Sequence, residues 1–281
     1  MCHSADFKML GMRLSASQGL RPRKAEGIAV SVKQCLTCGL VFSDPQPVPA
    51  SLSDHYEMPP EDYWCEDHLS RDETFFSAEI ATAKRLLKFS QGMTALDVGA
   101  GLGQAMSALN RAGFDTYGIE PSASFQKRLD TNRVQLAMVE EAEYPPEMFD
   151  FITFGAVLEH LYSPSDCLTR TLGWLKPNGI IHAEVPSSSW LMSKLVNSYF
   201  RLRGTNYVTH LSPMHVPFHL YEFGLASFQK NGAILGYDVA EHQFSVCAIP
   251  FVPLKPLFRW LMDRTNTGMQ LTVFLRRQPG C

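Results

Sequence analysis

The sequence predicts an α/β domain in which strands and helices alternate around one sheet. Three observations predict it. Residues 95–104 read A-L-D-V-G-A-G-L-G-Q, a strand-like run that ends in glycines and passes directly into the helical pattern Ala105, Met106, Leu109. The next apolar strand, Phe114 to Ile119, stops at Glu120, 17 residues beyond Gly103. Strand-like and helix-like runs then keep alternating almost to the end of the chain. The first of these units is the opening of a nucleotide-binding domain. Without a Cβ, Gly99, Gly101 and Gly103 let the backbone turn sharply and lay its N–H groups against a ligand. An acid at the end of the second strand, read as solvent-open, can accept hydrogen bonds from both hydroxyls of a ribose.

Composition narrows the class. A chain of 281 residues buries one large core, or one core and a small appendage. A net charge of −3 with 19% charged residues carries no basic excess to recruit nucleic acid. No apolar run reaches the roughly 18 residues that span a bilayer, and the N-terminus has no signal-peptide core, so a cytoplasmic protein is expected. Seven scattered cysteines do not read as a disulfide framework.

In chain order, Cys35-Leu36-Thr37-Cys38-Gly39 is a C-x-x-C turn that can present two thiolates to one metal ion, or simply turn the chain without a metal. Pro45 to Pro60 reads as an extended connector. Leu69, Phe76, Ile80, Ala83 and Leu87 share one face of a helix that stops near Gly92. Strand one ends at Val98 and strand two at Glu120, a helix covers 122–129, and strand three is 134–139. Residues 148–154 form a buried strand leading to Glu159 and His160. Ligands of open α/β sheets bind beyond the carboxyl ends of the strands, so these two residues are placed to meet a substrate in the cleft of Gly99. Ser163 and Pro164 start a helix that Lys176-Pro177-Asn178-Gly179 ends, and 180–185 is strand five.

Trp190, Leu191, Leu195, Tyr199 and Leu202 then share a helical face beside Lys194, Arg201 and Arg203. Such a helix suits a membrane surface, a lipid-like substrate or an ordinary lid or core contact. Residues 209–221 hold His210, His215 and His219 with two prolines between them, a shaped loop ending at Tyr221. Histidine titrates near neutrality, which makes this loop a place to seek a general base. A helix to Asn231-Gly232 follows, and 237–246 and 269–276 are two late strands, separated by a segment containing Leu257, Trp260 and Leu261.

The glycine spacing is G-x-G-x-G, with Gln104 where a dinucleotide fingerprint wants its third glycine and Asp97 two residues before Gly99. This stretch resembles motif I of the class I S-adenosylmethionine-dependent methyltransferases. The resemblance runs from Thr94 to Arg276. Phe149-Asp150, the short strand and Val157-Leu158-Glu159-His160 are similar to the fourth motif of the ubiquinone-biosynthesis O-methyltransferase type, and Leu175-Lys176-Pro177-Asn178-Gly179 matches that family's L-K-P-G-G turn.

The resemblance implies a Rossmann-like, seven-stranded mixed sheet with an antiparallel last strand, helices on both faces and a small N-terminal appendage. It implies S-adenosylmethionine as cofactor, held by Asp97, Gly99, Ala100, Gly101, Gly103, Glu120 and Pro121. Glu141 and Ala142 would edge the adenine unless they form only a solvated acidic turn, and Phe154 and Gly155 would line the cofactor. His160, His215 and His219 become the candidate bases, with Glu159, His210 and Tyr221 toward a small-molecule methyl acceptor. O-methylation is favoured, on a saccharide-like or lipid-linked acceptor. The first residues look like the zinc-ribbon-like appendage of some bacterial methyltransferases. In that reading Cys2, Cys35 and Cys38 are zinc ligands and the other half of the first C-x-x-C pair is missing. The expected division is an appendage with connector over 1–60 and a methyltransferase domain over 61–281, with 186–222 as a lid. A non-catalytic S-adenosylmethionine-binding module and a nicotinamide oxidoreductase are the competing readings.

Overall fold

A computed structural model describes residues 1–14, 29–51, 55–57, 74–129, 131–211, 218–246 and 252–278. Leu69 and His215 lie outside the described residues.

Two sheets carry the chain. The smaller one starts with β1 (Phe7–Leu14), β2 (Ala29–Cys35) and β3 (Val41–Asp44), joined antiparallel in that order. The larger one follows α1 (Ser77–Leu87) and begins with β4 (Thr94–Val98), α2 (Gln104–Arg111) and β5 (Asp115–Glu120). Then come α3 (Ala123–Gln126), β6 (Val134–Leu136), β7 (Phe149–Gly155), α4 (Pro164–Trp174) and β8 (Leu175–Pro186). The chain continues through α5 (Leu191–Leu202), β9 (Tyr221–Glu222), α6 (Leu225–Leu235), β10 (Tyr237–Ser245), α7 (Lys255–Thr265) and β11 (Gln270–Arg277).

The large sheet has the order β10-β11-β8-β7-β4-β5-β6. β4 through β8 pair in parallel, and β11 is antiparallel to both of its neighbours. The last strand therefore slots between the fifth and sixth strands, as the resemblance implies. Alternation along each strand sends side chains to two cores. Leu96, Ile152, Phe154 and Ile181 pack beneath Leu168 and Leu172 of α4 and Phe228 of α6, while Ala95, Phe151, Ile180 and Phe274 pack beneath Ile80 and Ala83 of α1 and Leu109 of α2. Helices thus cover both faces.

Several expected elements shift: strand three shortens from 134–139 to Val134–Leu136, and α1 begins at Ser77 with Phe76 as its N-cap. Only Ala123–Gln126 of the 122–129 helix is α-helical, started by the Ser122 hydroxyl accepting from Phe125 N–H at 3.3 Å. The Lys176–Gly179 turn is an excursion inside β8, because pairing with β7 jumps from Phe149↔Leu175 to Phe151↔Ile180. The segment between the late strands is a regular helix, α7. Finally, the apolar face of α5 does not turn inward: Leu202 is 88% exposed, and it is Met192, Ser193 and Asn197 that are buried.

The small sheet is tied to the large one at several points. β9 completes it by pairing with β3. Ser227 Oγ of α6 donates to the Cys38 carbonyl at 3.0 Å, and Asn231 Nδ2 donates to the Met1 carbonyl at 3.0 Å. A buried polar group holds the far side, where the Arg13 guanidinium donates to the carbonyls of Val208 and Leu211 beside Glu222, which itself pairs with His210.

Candidate functional site

The site forms where β4, β5 and β7 end together. Gly99, Gly101 and Gly103 have φ of 74°, 53° and 72°, the left-handed region in which a side chain is strained. A Cβ on Gly99 would also lie 2.6 Å from Val157 Cγ2. The turn is held by its own backbone, since Gly99 N–H and Ala100 N–H both donate to the Ile119 carbonyl at 2.8 and 2.9 Å.

Glu120 adds a second clasp. One carboxylate oxygen accepts from Gly101 N–H at 2.7 Å and the other from Ser122 N–H at 2.9 Å. The strand end is not solvent-open, because Glu120 is 6% exposed. Burial raises its pKa against the lowering effect of the two N–H groups. Asp97, also buried, has its pKa pushed well up by desolvation and then by the Glu120 charge.

Two cavities flank this turn and share Gly99, Gly101, Gly155 and Ala156 as walls. The first, about 220 Å³, is bounded by Glu120, Pro121, Met138, Val139, Glu140 and His160, with His55 and Tyr56 over it. Glu57 pins that covering segment, since its carboxylate accepts from Ala123 N–H at 2.8 Å and Ser124 N–H at 3.0 Å. The second, about 390 Å³, is bounded by Phe76, Glu79, Asp97, Thr153, His182 and Glu184.

The predicted residues divide clearly. Asp97, Gly99, Ala100, Gly101, Glu120, Pro121, Gly155 and His160 line one cavity or both. Gly103 caps α2 just behind the turn. Phe154 packs in the core beneath α4, since alternation along β7 turns it away from the cleft. Glu141 and Ala142 lie beyond the wall that Met138–Glu140 forms; their N–H groups donate to the Met138 carbonyl, and the Ala142 carbonyl accepts from Arg170 at 2.7 and 3.1 Å.

His160 Nδ1 lies 2.9 Å from the Phe218 carbonyl, and its ring meets that of His219 edge-on at 4.6 Å between centroids. Glu159 is 1% exposed, with Oε2 lacking any hydrogen-bond partner among the described residues, and burial pushes its pKa up to about 8. Ligand atoms of Glu159, His160 and His219 lie within 4.8 Å of one another. His210 and Tyr221 line neither cavity. His210 pairs with Glu222, and the Tyr221 hydroxyl donates to the Tyr162 carbonyl at 2.9 Å while accepting from Gln46 at 2.7 Å. Tyr221 thereby ties the small sheet to the chain just after His160, and His210 is held against the small-sheet strand β9.

Sequence reasoning missed His182, which is fully buried with Nδ1 2.8 Å from Thr153 Oγ1 and Nε2 unpartnered among the described residues. Burial lowers its pKa to about 3, so the ring is neutral. Asp97, Thr153 and His182 are register partners on adjacent strands, a polar row across an otherwise apolar face. The available signal was a histidine inside the apolar run I-I-H-A-E-V.

At the appendage, Cys2 Sγ lies 3.5 Å from Cys35 Sγ, and the sulfurs of Cys2, Cys35 and Cys38 are mutually within 4.8 Å. Zinc–sulfur bonds of about 2.3 Å in tetrahedral geometry set sulfurs roughly 3.8 Å apart, so thiols at this spacing can supply three of the four ligands of a zinc site. Burial first, then the neighbouring thiols, pushes Cys38 up to about 12. For Cys35 burial acts upward, but hydrogen bonds from Cys38 and Thr37 N–H and from the thiols bring it below its ordinary value.

A sheet with its last strand inserted antiparallel, and a glycine turn clasped by a strand-end acid, belong to the class I S-adenosylmethionine-dependent methyltransferases. The chain is a member of the methyltransferase-domain family, whose profile matches residues 72–222. It is 27% identical over 158 residues to the ubiquinone biosynthesis O-methyltransferase of Rhodopseudomonas palustris strain HaA2, covering 51% of this chain and 62% of that protein. The corresponding protein of Bradyrhizobium diazoefficiens is 28% identical over 165 residues, covering 53% and 65%. The chain thus spans less than two thirds of these relatives.

Among solved structures, a chain from the complex between the Haloferax volcanii Trm112 methyltransferase activator and a methyltransferase aligns with a TM-score of 0.53 at 18% identity, covering 82% of this chain and 99% of that one. An S-adenosylmethionine-dependent methyltransferase of Mesorhizobium loti aligns at 0.51 with 15% identity, covering 71% and 98%. The family and the position of β11 set aside the nicotinamide oxidoreductase reading.

Proposed function

We propose that the chain transfers a methyl group from S-adenosylmethionine to a hydroxyl of a small, saccharide-like or lipid-linked acceptor. The observation that carries this reading is the clasped turn, a buried Glu120 facing a cavity walled by Gly99, Gly101 and Met138–Glu140. When bound, the cofactor supplies an electrophilic methyl group on a sulfonium. Glu120 would hold the ribose diol, the glycine turn with Asp97 and Gly155 the amino-acid end, and Met138 to Glu140 the adenine. The remaining task is to exclude water, align the acceptor and remove its proton. His160, at the cavity wall, and His219 beside it are the bases we favour, with His215 a further candidate. Similarity to proteins named O-methyltransferases supports a hydroxyl acceptor.

Zinc at Cys2, Cys35 and Cys38 belongs to the same reading. It would staple the N-terminus to the β2–β3 turn, within an appendage of residues 1–60 set against a methyltransferase domain of 61–281.

Transfer of radiolabelled methyl from S-adenosylmethionine to matched hydroxyl and amine acceptors tests the reaction class. We expect label in hydroxyl acceptors, and His160→Ala or His219→Ala should lower kcat by roughly 10²–10⁴-fold with cofactor affinity nearly unchanged. Label confined to amines would overturn the O-methylation reading. Tight cofactor binding with no transfer to any acceptor would favour the non-catalytic module.

A further inference from the structure

Five of the thirteen large apolar side chains exposed among the described residues lie on two helices that line neither cavity. Of the eleven residues of α7 only Met262 is buried, while Leu257 is 56% and Trp260 55% exposed. On α5, Leu195, Tyr199 and Leu202 are exposed at 45%, 56% and 88%. The helices are neighbours: Leu191 N–H, opening α5, donates to the Thr267 carbonyl just past α7 at 3.1 Å, and Ser189 Oγ donates to the Asn266 carbonyl at 3.2 Å. Large apolar side chains left in water on adjacent elements mark a contact surface.

Charge identifies the occupant. Lys194, Arg201 and Arg203 lie on or just after α5, and Lys255, Arg259 and Arg264 on α7; all six are exposed, and Asp263 is the only acid within the two helices. None of the six makes a salt bridge among the described residues. The chain as a whole carries −3, so the cations are gathered locally against the average. Two copies meeting through this face would oppose like charges. A nucleic acid would match the charge but leave the leucines in water. Anionic lipid satisfies both features, with phosphates for the cations and an acyl boundary for Leu202, Leu257 and Trp260.

We propose that α5 and α7 form a docking face for the surface of an anionic membrane, on which the protein lies without crossing it. No described helix is long and apolar enough to span a bilayer. The proposal does not depend on which acceptor is methylated.

The test is co-sedimentation of the full chain with vesicles of phosphatidylcholine alone and with about 30% phosphatidylglycerol added. We expect binding to the anionic vesicles at least about tenfold tighter than to the neutral ones, weakening as salt is raised. The double variant Leu202→Glu with Trp260→Glu should lose at least about tenfold of that binding. These side chains are exposed, so its thermal midpoint should match the parent. No binding to anionic vesicles, equal binding to both compositions, or binding untouched by the double variant would overturn the proposal. So would a dimer in light scattering that the variant dissolves, because the face would then be covered by a second copy.

Discussion

Glu120 is the residue on which most of the site rests. Its carboxylate already accepts from Gly101 and Ser122, so it shapes the turn before any ligand arrives. Two charge-assisted hydrogen bonds to a ribose diol are worth about 1.5–3 kcal/mol each when well made. Glu120→Ala should therefore weaken S-adenosylmethionine and S-adenosylhomocysteine together, by on the order of 10²–10⁴-fold in calorimetry. Unlike a change at an open strand end, it should also lower the thermal midpoint, since two N–H groups lose their acceptor. Unchanged affinity for both cofactor forms would refute the ribose assignment. Glu159 makes a different prediction. Its pKa is raised from 4.5 to about 8, so the folded chain holds a proton that the unfolded chain has released across that interval. Stability on this account is full below pH 4.5 and is lost as pH rises toward 8, by an amount on the order of a few kcal/mol. Glu159→Gln should narrow its gap from the parent in acid and exceed it most at pH 8. Parallel melting curves for the two proteins across this range would count against a protonated Glu159.

At the scale of elements, the joint between the two sheets depends on a buried charge group. Arg13 and Glu222 are 7% and 9% exposed, and burial lowers the Arg13 pKa while Glu222 supports the charge. Removing one partner leaves the other buried and uncompensated, so Glu222→Ala should cost about 3–5 kcal/mol in urea unfolding. A loss under about 1 kcal/mol would mean that water reaches the group. The same joint explains why His210 lines neither cavity. β9 places Glu222 where His210 Nδ1 and Leu211 N–H both find an acceptor, and that use occupies the side chain.

At the scale of the whole molecule, the described strands of the N-terminal sheet are fastened to the rest through Ser227, Asn231 and β9. If Cys2, Cys35 and Cys38 hold zinc, purified protein should contain about one equivalent, and Cys35→Ser should release it and loosen the first sixty residues in hydrogen exchange. Metal-free protein with a protected N-terminus would remove zinc from the picture. The parts of this protein legible in its sequence are those set by local rules. Glycines needing positive φ, an acid closing an apolar strand and a period that switches between two and 3.6 each act over a few residues, and together they specify the α/β order, the turn and Glu120. The setting of His160 and His210, the cavity wall at Met138–Glu140 and the apolar face of α5 were decided elsewhere, by contacts between residues far apart in the chain. His210 is claimed by Glu222, His160 gains its setting from Phe218 and His219, and His182 becomes a cavity wall only because β7 lies beside β8. Periodicity reveals that a helix has two faces, but which face is covered depends on what the rest of the chain brings to it. For α5 the described residues leave Leu202 88% exposed, and which face of a helix the rest of the chain covers is what sequence spacing cannot encode.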